Sequence, residues 1–110
     1  MKTTITIGSK DTELVANAAT PFYFTQIFNE DFFVKSQAVT DGNEGVAVDL
    51  FSKMGYIMAK QAEGANMKKL SVDDYIKWLE GFEPMDLAIA TGDIAIFYSG
   101  QTTPTAKPKK

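Results

Sequence analysis

The stretch that decides the fold is residues 44–62, which read EGVAVDLFSKMGYIMAKQA. Apolar residues recur there every three to four positions, the period of an amphipathic α-helix that packs on a core. One face of this helix carries Val46, Ala47, Leu50, Phe51, Met54, Ile57, Met58 and Ala62. The other carries Asp49, Ser52, Lys53, Tyr56, Lys60 and Glu63. The pattern predicts a helix with the first face in the core and the second in solvent.

The segment before this helix is aromatic. Thr20-Pro21 is typical of a helix start, with Thr as the N-cap and Pro at the first helical position. We predict a helix from Pro21 to about Val34, followed by a polar loop over residues 37–44. One arc of this helix carries Tyr23, Phe24, Ile27, Phe28 and Phe32, whereas Phe22 and Phe33 lie on the opposite side.

The N-terminal residues indicate a β-hairpin. Residues 3–7 alternate between polar and apolar side chains and are rich in β-branched residues. Residues 8–11 form a turn cluster, and residues 12–16 can form the return strand. Because a lone hairpin is marginally stable in water, it must pack on helices or pair with another chain.

Two more segments follow residue 70. Ser71 is an N-cap candidate with acidic residues in the first turn after it, and the helix is predicted to end at Gly81. Its apolar face comprises Val72, Tyr75, Ile76, Leu79 and Phe82. The last segment, residues 84–98, carries Leu87, Ala90, Ile94, Phe97 and Tyr98 on one helical face and Met85, Ile89 and Ile96 on a second. A helix is favoured here, although residues 94–98 could instead form a strand.

These segments predict a mostly α (α+β) fold, in which an N-terminal β-hairpin precedes a bundle of about four helices. Residues 1–100 form the single predicted domain. Residues 101–110 are polar, contain proline and end in lysines, a composition that predicts a disordered basic tail.

The composition narrows the function. Cys and His are absent, which removes thiolate chemistry, the commonest general base and the commonest transition-metal ligand. All 11 basic residues are Lys and the net charge is −3, so nucleic-acid binding is disfavoured. No segment has the length and apolarity of a membrane span or a signal peptide. We expect a cytoplasmic protein that binds another protein, is not an enzyme, and has no cofactor or metal. Asp73 and Asp74 are interpreted as stabilising a helix N-terminus, and Trp78 as a half-buried packing residue.

Three stretches carry a family resemblance: residues 12–33 (TELVANAATPFYFTQIFNEDFF), 58–62 (MAKQA) and 71–82 (SVDDYIKWLEGF). They resemble the tail assembly chaperones of long-tailed phages and prophages of Gram-positive bacteria. The resemblance implies a protein of the host bacterial cytoplasm that coats the long, largely helical tape measure protein and keeps it soluble during tail assembly. It also implies a longer frameshifted form of the same chain. The alternative is a small structural phage tail or head–tail connector protein that is retained in the virion.

Five residues are the predicted partner-binding set: Phe22, Phe33, Met85, Ile89 and Ile96. They oppose the apolar arcs of their helices, so they should be exposed in a monomer and covered by a partner or a second copy in a homo-oligomer. In the alternative arrangement, the hairpin covers Phe22 and Phe33, and the last segment is a central helix buried on both sides.

Overall fold

A computed structural model describes residues 1–100 of the chain, so the predicted tail of residues 101–110 lies outside the described residues. The elements in chain order are β1 (Lys2–Ile7), β2 (Lys10–Val15), α1 (Thr20–Phe28), α2 (Phe32–Thr40), α3 (Glu44–Glu63), a 3₁₀ turn (Met67–Lys69), α4 (Val72–Leu79) and α5 (Pro84–Gly100). The predicted α+β class, with a hairpin followed by helices, is confirmed. Residues 1–100 contain five α-helices where about four were predicted.

The hairpin is antiparallel, with Ile7 opposite Lys10 across a two-residue turn. Gly8 at the first turn position has a φ of 65°, which glycine adopts without steric cost. The inner face of the hairpin buries Ile7 and Leu14. Strand β2 packs against α3 and strand β1 packs against α5, so these two helices form the layer under the hairpin.

Helix α3 is the central helix, in contact with β2, α1, α2, α4 and α5. The predicted core face is buried at Leu50, Met54, Ile57 and Met58. The predicted solvent face is wrong at its centre, since Ser52 and Tyr56 are also buried. The Tyr56 ring lies 6.4 Å from that of Phe28, 5.4 Å from that of Tyr75 and 5.7 Å from that of Trp78. Aromatic residues from α1 and α4 therefore cover this side of α3, and Trp78 is a half-buried packing residue.

The predicted continuous helix over residues 21–34 is wrong, because the chain breaks between Phe28 and Phe32. Asn29 adopts the left-handed conformation, with a φ of 55°, and its N–H donates to the carbonyl of Thr25. Asp31 then caps α2, accepting from the N–H of Phe33 at 2.8 Å. Asn tolerates this backbone conformation and Asp is a strong N-cap, which explains why the helix stops and restarts here. Helix α2 continues to Thr40, so the predicted polar loop is helical over its first residues.

Thr20 does not act as the predicted N-cap. Helix α1 begins at Thr20 itself, after Ala19. The Thr20 side chain is fully buried. Its hydroxyl donates to Oε1 of Gln61 at 2.8 Å and accepts from the N–H of Asn17 at 3.0 Å. Thr20 therefore joins the start of α1 to the end of α3.

The two C-terminal helices start where they were predicted. Ser71 and Asp74 form a reciprocal capping box at the start of α4. Residues 84–100 form one helix, so the strand alternative for residues 94–98 is wrong. A Cβ added at Gly55 of α3 would lie 2.6 Å from Cδ1 of Ile94, which shows how closely α3 and α5 approach. Within the described residues, no helix is both long and apolar enough to cross a membrane.

Candidate protein-binding surfaces

All five predicted partner-binding residues are exposed: Phe22 at 70%, Phe33 at 71%, Met85 at 70%, Ile89 at 68% and Ile96 at 71%. The alternative arrangement is therefore wrong. The hairpin packs on α3 and α5 and leaves the two phenylalanines uncovered, and α5 is buried on one side only. The five residues fall into two groups, one at the junction of α1 and α2 and the other along α5.

The first group lines a groove at the junction of α1 and α2, which we call the corner groove. Its volume is about 630 Å³, and it is lined by Pro21, Phe22, Thr25, Gln26, Asn29, Glu30, Asp31 and Phe33. Phe22 comes from the first turn of α1 and Phe33 from the first turn of α2. Two large apolar rings from different helices thus share one concave surface with polar residues around it.

The helix break positions Phe33. Its neighbour Phe32 is buried, with its ring centroid 5.9 Å from that of Phe24 and 5.8 Å from that of Tyr98. The Phe33 ring rests edge-on against Phe32, at 5.5 Å between centroids. Because Phe32 anchors the start of α2 in the core, the adjacent Phe33 is directed outward into the corner groove.

The two acidic residues of the corner groove have structural partners. Glu30 accepts from the Lys53 ammonium at 2.9 Å, and Lys53 also contacts Asp49 at 3.0 Å. Burial lowers the pKa of Lys53, but its hydrogen bonds to Glu30 and Asp49 outweigh that effect and leave the pKa above its usual value. Asp31 is engaged as the cap of α2. These contacts fix the wall of the groove, and the two exposed rings are its free apolar surface.

The second group forms a row on α5, which we call the α5 stripe: Met85, Ile89 and Ile96. Their spacing of four and seven residues places them on one side of a helix. Gly92 lies between them, and a Cβ built there meets no atom within 4 Å. The opposite side of α5 buries Ala90, Thr91 and Ile94. A solvent-exposed helix face with three large apolar side chains is typical of an interaction surface.

A second groove lies between β1 and α5, and we call it the edge groove. It has a volume of about 510 Å³ and is lined by Thr3, Thr4, Ile5, Thr6, Asp93, Ile96 and Phe97. The sequence showed that the hairpin would have an exposed edge. It did not show that Ile96 of the α5 stripe would lie beside that edge, because this depends on how α5 docks.

Helix α4 exposes apolar residues that the sequence placed in the core. Tyr75 is buried as predicted, but Val72 and Ile76 are exposed.

Burial raises the pKa of Tyr75 to about 12, and nearby carboxylates add to the effect. Burial likewise raises the pKa of Tyr56 to about 12. The Tyr56 hydroxyl has no hydrogen-bond partner within residues 1–100. Among the same residues, no group of acidic side chains is arranged to hold a metal ion.

No family model, curated protein or solved structure matches the chain.

Proposed function

We propose that this protein is a phage tail assembly chaperone that works in the host cytoplasm, binds the tape measure protein through the corner groove and keeps it soluble during tail assembly. The observation that carries the proposal is the pair of exposed rings, Phe22 and Phe33, on two helices that share one groove. Exposed aromatic pairs in a concave, polar-rimmed surface are typical of sites that anchor another protein.

The shape of the corner groove suits a helical partner. The tape measure proteins of the resembled family are long and largely helical, and such helices present apolar side chains at every third or fourth position. The groove volume of about 630 Å³ lies within the roughly 300–1,000 Å³ of sites that hold small molecules. One or a few apolar side chains of a tape measure helix would lie between Phe22 and Phe33. The polar residues that flank them on that helix would face the polar rim of the corner groove.

A small contact of this kind also suits a chaperone that has to leave. Interfaces of low area are typical of transient complexes.

A structural connector that remains in the virion is expected to use strands and long loops for contacts in a ring. Residues 1–100 instead contain one hairpin and five α-helices, which favours the chaperone over the connector.

Co-expression tests the proposal. The full chain is expressed with the tape measure protein encoded in the same genome, and the soluble fraction of the tape measure protein is measured after centrifugation. We expect the wild-type chain to raise this fraction and the double variant Phe22→Ser/Phe33→Ser to lose the effect with an unchanged melting temperature, because both side chains are exposed. Val48→Ser is the matched control, since Val48 is 44% exposed on α3 and does not line the groove.

Two results would overturn the proposal. One is a wild-type chain that leaves the tape measure protein insoluble, and the other is a double variant that works as well as the control. Stoichiometric amounts of the protein in purified virions would support the connector instead.

A further inference from the structure

The helix layer under the hairpin is wider than the hairpin. Packed helices lie about 8–10 Å apart, whereas neighbouring strands lie about 4.8 Å apart. A pair of helices therefore supports about four strands, and α3 and α5 support only β2 and β1. Helix α5 extends past the free edge of β1, which explains the edge groove with β1 as one wall and Asp93, Ile96 and Phe97 as the other.

The free edge of β1 presents unpaired backbone groups to this groove. Met1 and Ala16 exchange both backbone hydrogen bonds, at 2.9 and 3.0 Å. Hydrogen-bonded pairs alternate along an antiparallel ladder, so the backbone groups of Lys2, Thr4 and Thr6 point away from β2. These groups form the hydrogen-bonding edge available to another strand.

The β1 edge carries one feature that keeps sheet edges from pairing, the exposed Lys2 at its start, and lacks the others over residues 3–7. Natural edge strands carry charged side chains, proline or bulges. Residues 3–7 have no charge and no proline, and their register with β2 is continuous. The outer edge of β2, by contrast, carries the exposed acids Asp11 and Glu13. Strand addition is therefore favoured at β1 and disfavoured at β2.

The α5 stripe shares one residue with the edge groove. Ile96 belongs to both surfaces. A Cβ at Gly8, just after β1, would lie 2.6 Å from Oδ2 of Asp86 at the start of α5. Thr3 to Thr6 lie instead beside the later residues Asp93 to Phe97. Strand β1 and helix α5 therefore run in opposite directions, with the apolar stripe along the open side.

We propose that a second copy of this chain occupies the edge groove. In this dimer, β1 pairs antiparallel with β1 of the other copy around Ile5, on a two-fold axis perpendicular to the sheet, which places Ile89 of one α5 helix near Ile96 of the other. The two hairpins then form one four-stranded sheet. The same rotation brings the two α5 helices side by side in opposite directions on one face of that sheet, so that the two α5 stripes pack together.

A second copy accounts for more of the exposed surface than a foreign strand does. An extended segment from another protein would use the β1 edge and cover Ile96, but it would leave Met85 and Ile89 in water. The pairing around Ile5 sets Thr4 opposite Thr6 and Lys2 opposite Gly8 of the other copy, so no like charges face each other. The three stripe side chains supply roughly 100 Å² each, or about 300 of the roughly 800 Å² that a stable interface buries per partner. The inference does not rest on tape measure binding.

Light scattering on the purified full chain, over a range of concentrations, tests the dimer. We expect a mass twice that of the monomer. Thr4→Pro removes an N–H that points outward, so it should spare the hairpin and weaken the dimer at least about tenfold. Glu13→Pro is the matched control, because it makes the same change on the outer edge of β2 and should leave the dimer intact.

Ile89→Ser gives a second test that does not touch the backbone. Because the dimer is two-fold symmetric, the substitution removes this exposed side chain from both copies. The dissociation constant of the dimer should therefore again rise at least about tenfold. Circular dichroism checks that each variant is folded. A wild-type chain that stays monomeric at high concentration would overturn the proposal. So would an Ile89→Ser variant that dimerises as tightly as the wild type, or a folded Thr4→Pro variant that does so.

Discussion

The close approach of α3 and α5 makes Gly55→Ala a sharp test of the packing. The new methyl group would lie 2.6 Å from Cδ1 of Ile94, which is fully buried, so the Ile94 side chain would have to shift within the core. Overpacking of this kind costs about 1–3 kcal/mol. Replacing a helical glycine with alanine returns about 1 kcal/mol of helix propensity. The net expectation is a loss of about 1 kcal/mol in the free energy of unfolding.

Gly92→Ala is the matched control, since Gly92 is also helical but a Cβ there meets nothing within 4 Å. It should gain close to 1 kcal/mol, so the two alanine variants should differ by about 2 kcal/mol. Urea unfolding followed by circular dichroism measures both values, at protein concentrations low enough for the chain to be monomeric because Gly92 lies on the α5 stripe.

The double variant Gly55→Ala/Ile94→Val isolates the contact. Valine lacks the Cδ1 atom that the new methyl group meets, and Ile94→Val alone should cost about 1 kcal/mol. The added methyl group would fill part of that space, so the double variant should be more stable than the sum of the single changes by at least about 1 kcal/mol. Additive effects, or a Gly55→Ala variant as stable as Gly92→Ala, would refute the packing of α5 on α3.

Two further predictions concern the buried tyrosines. Tyr56→Phe should raise stability by about 1 kcal/mol in urea unfolding, because it removes a buried hydroxyl that has no partner within residues 1–100; a loss of stability would mean that the hydroxyl is bonded. Burial raises the pKa of both Tyr56 and Tyr75 to about 12, from about 10 in the unfolded chain. The stability they contribute is therefore complete below pH 10 and lost as the pH rises toward 12. Absorbance at the phenolate band should follow the loss of circular dichroism, and ionisation of all the tyrosines near pH 10 in a folded chain would contradict this.

The sequence predicted the elements whose signals are local. Helix α3 has a long apolar period, the hairpin has alternation on either side of a glycine turn, and α4 has a capping box at Ser71. The break at Asn29 to Asp31 also has local signals, a residue that tolerates the left-handed conformation followed by a strong N-cap. These signals were outweighed because the aromatic arc from Tyr23 to Phe32 continues at helical spacing across the break.

The tertiary arrangement could not be predicted in the same way. The Tyr56 side chain is apolar except for its hydroxyl, so it can be buried. Its burial depends on the packing of Tyr75 and Trp78 of α4 against it. The helical pattern placed Phe22 and Phe33 outside the apolar arc, but it left open whether the hairpin would cover them. That they line one groove depends on the direction of α2 after Asn29, which no periodicity encodes. The position of Ile96 beside the edge of β1 likewise depends on how α5 docks, which no periodicity encodes.

Site-specific crosslinking shows whether the corner groove contacts the tape measure protein. A photoreactive phenylalanine analogue replaces Phe22 or Phe33 in the full chain, and Val48 serves as the exposed control position. After co-expression with the tape measure protein and irradiation, mass spectrometry identifies the crosslinked peptides. We expect crosslinks from positions 22 and 33 to apolar positions of helical tape measure segments, and few from position 48. Equal crosslinking from all three positions, or none from the groove, would contradict it.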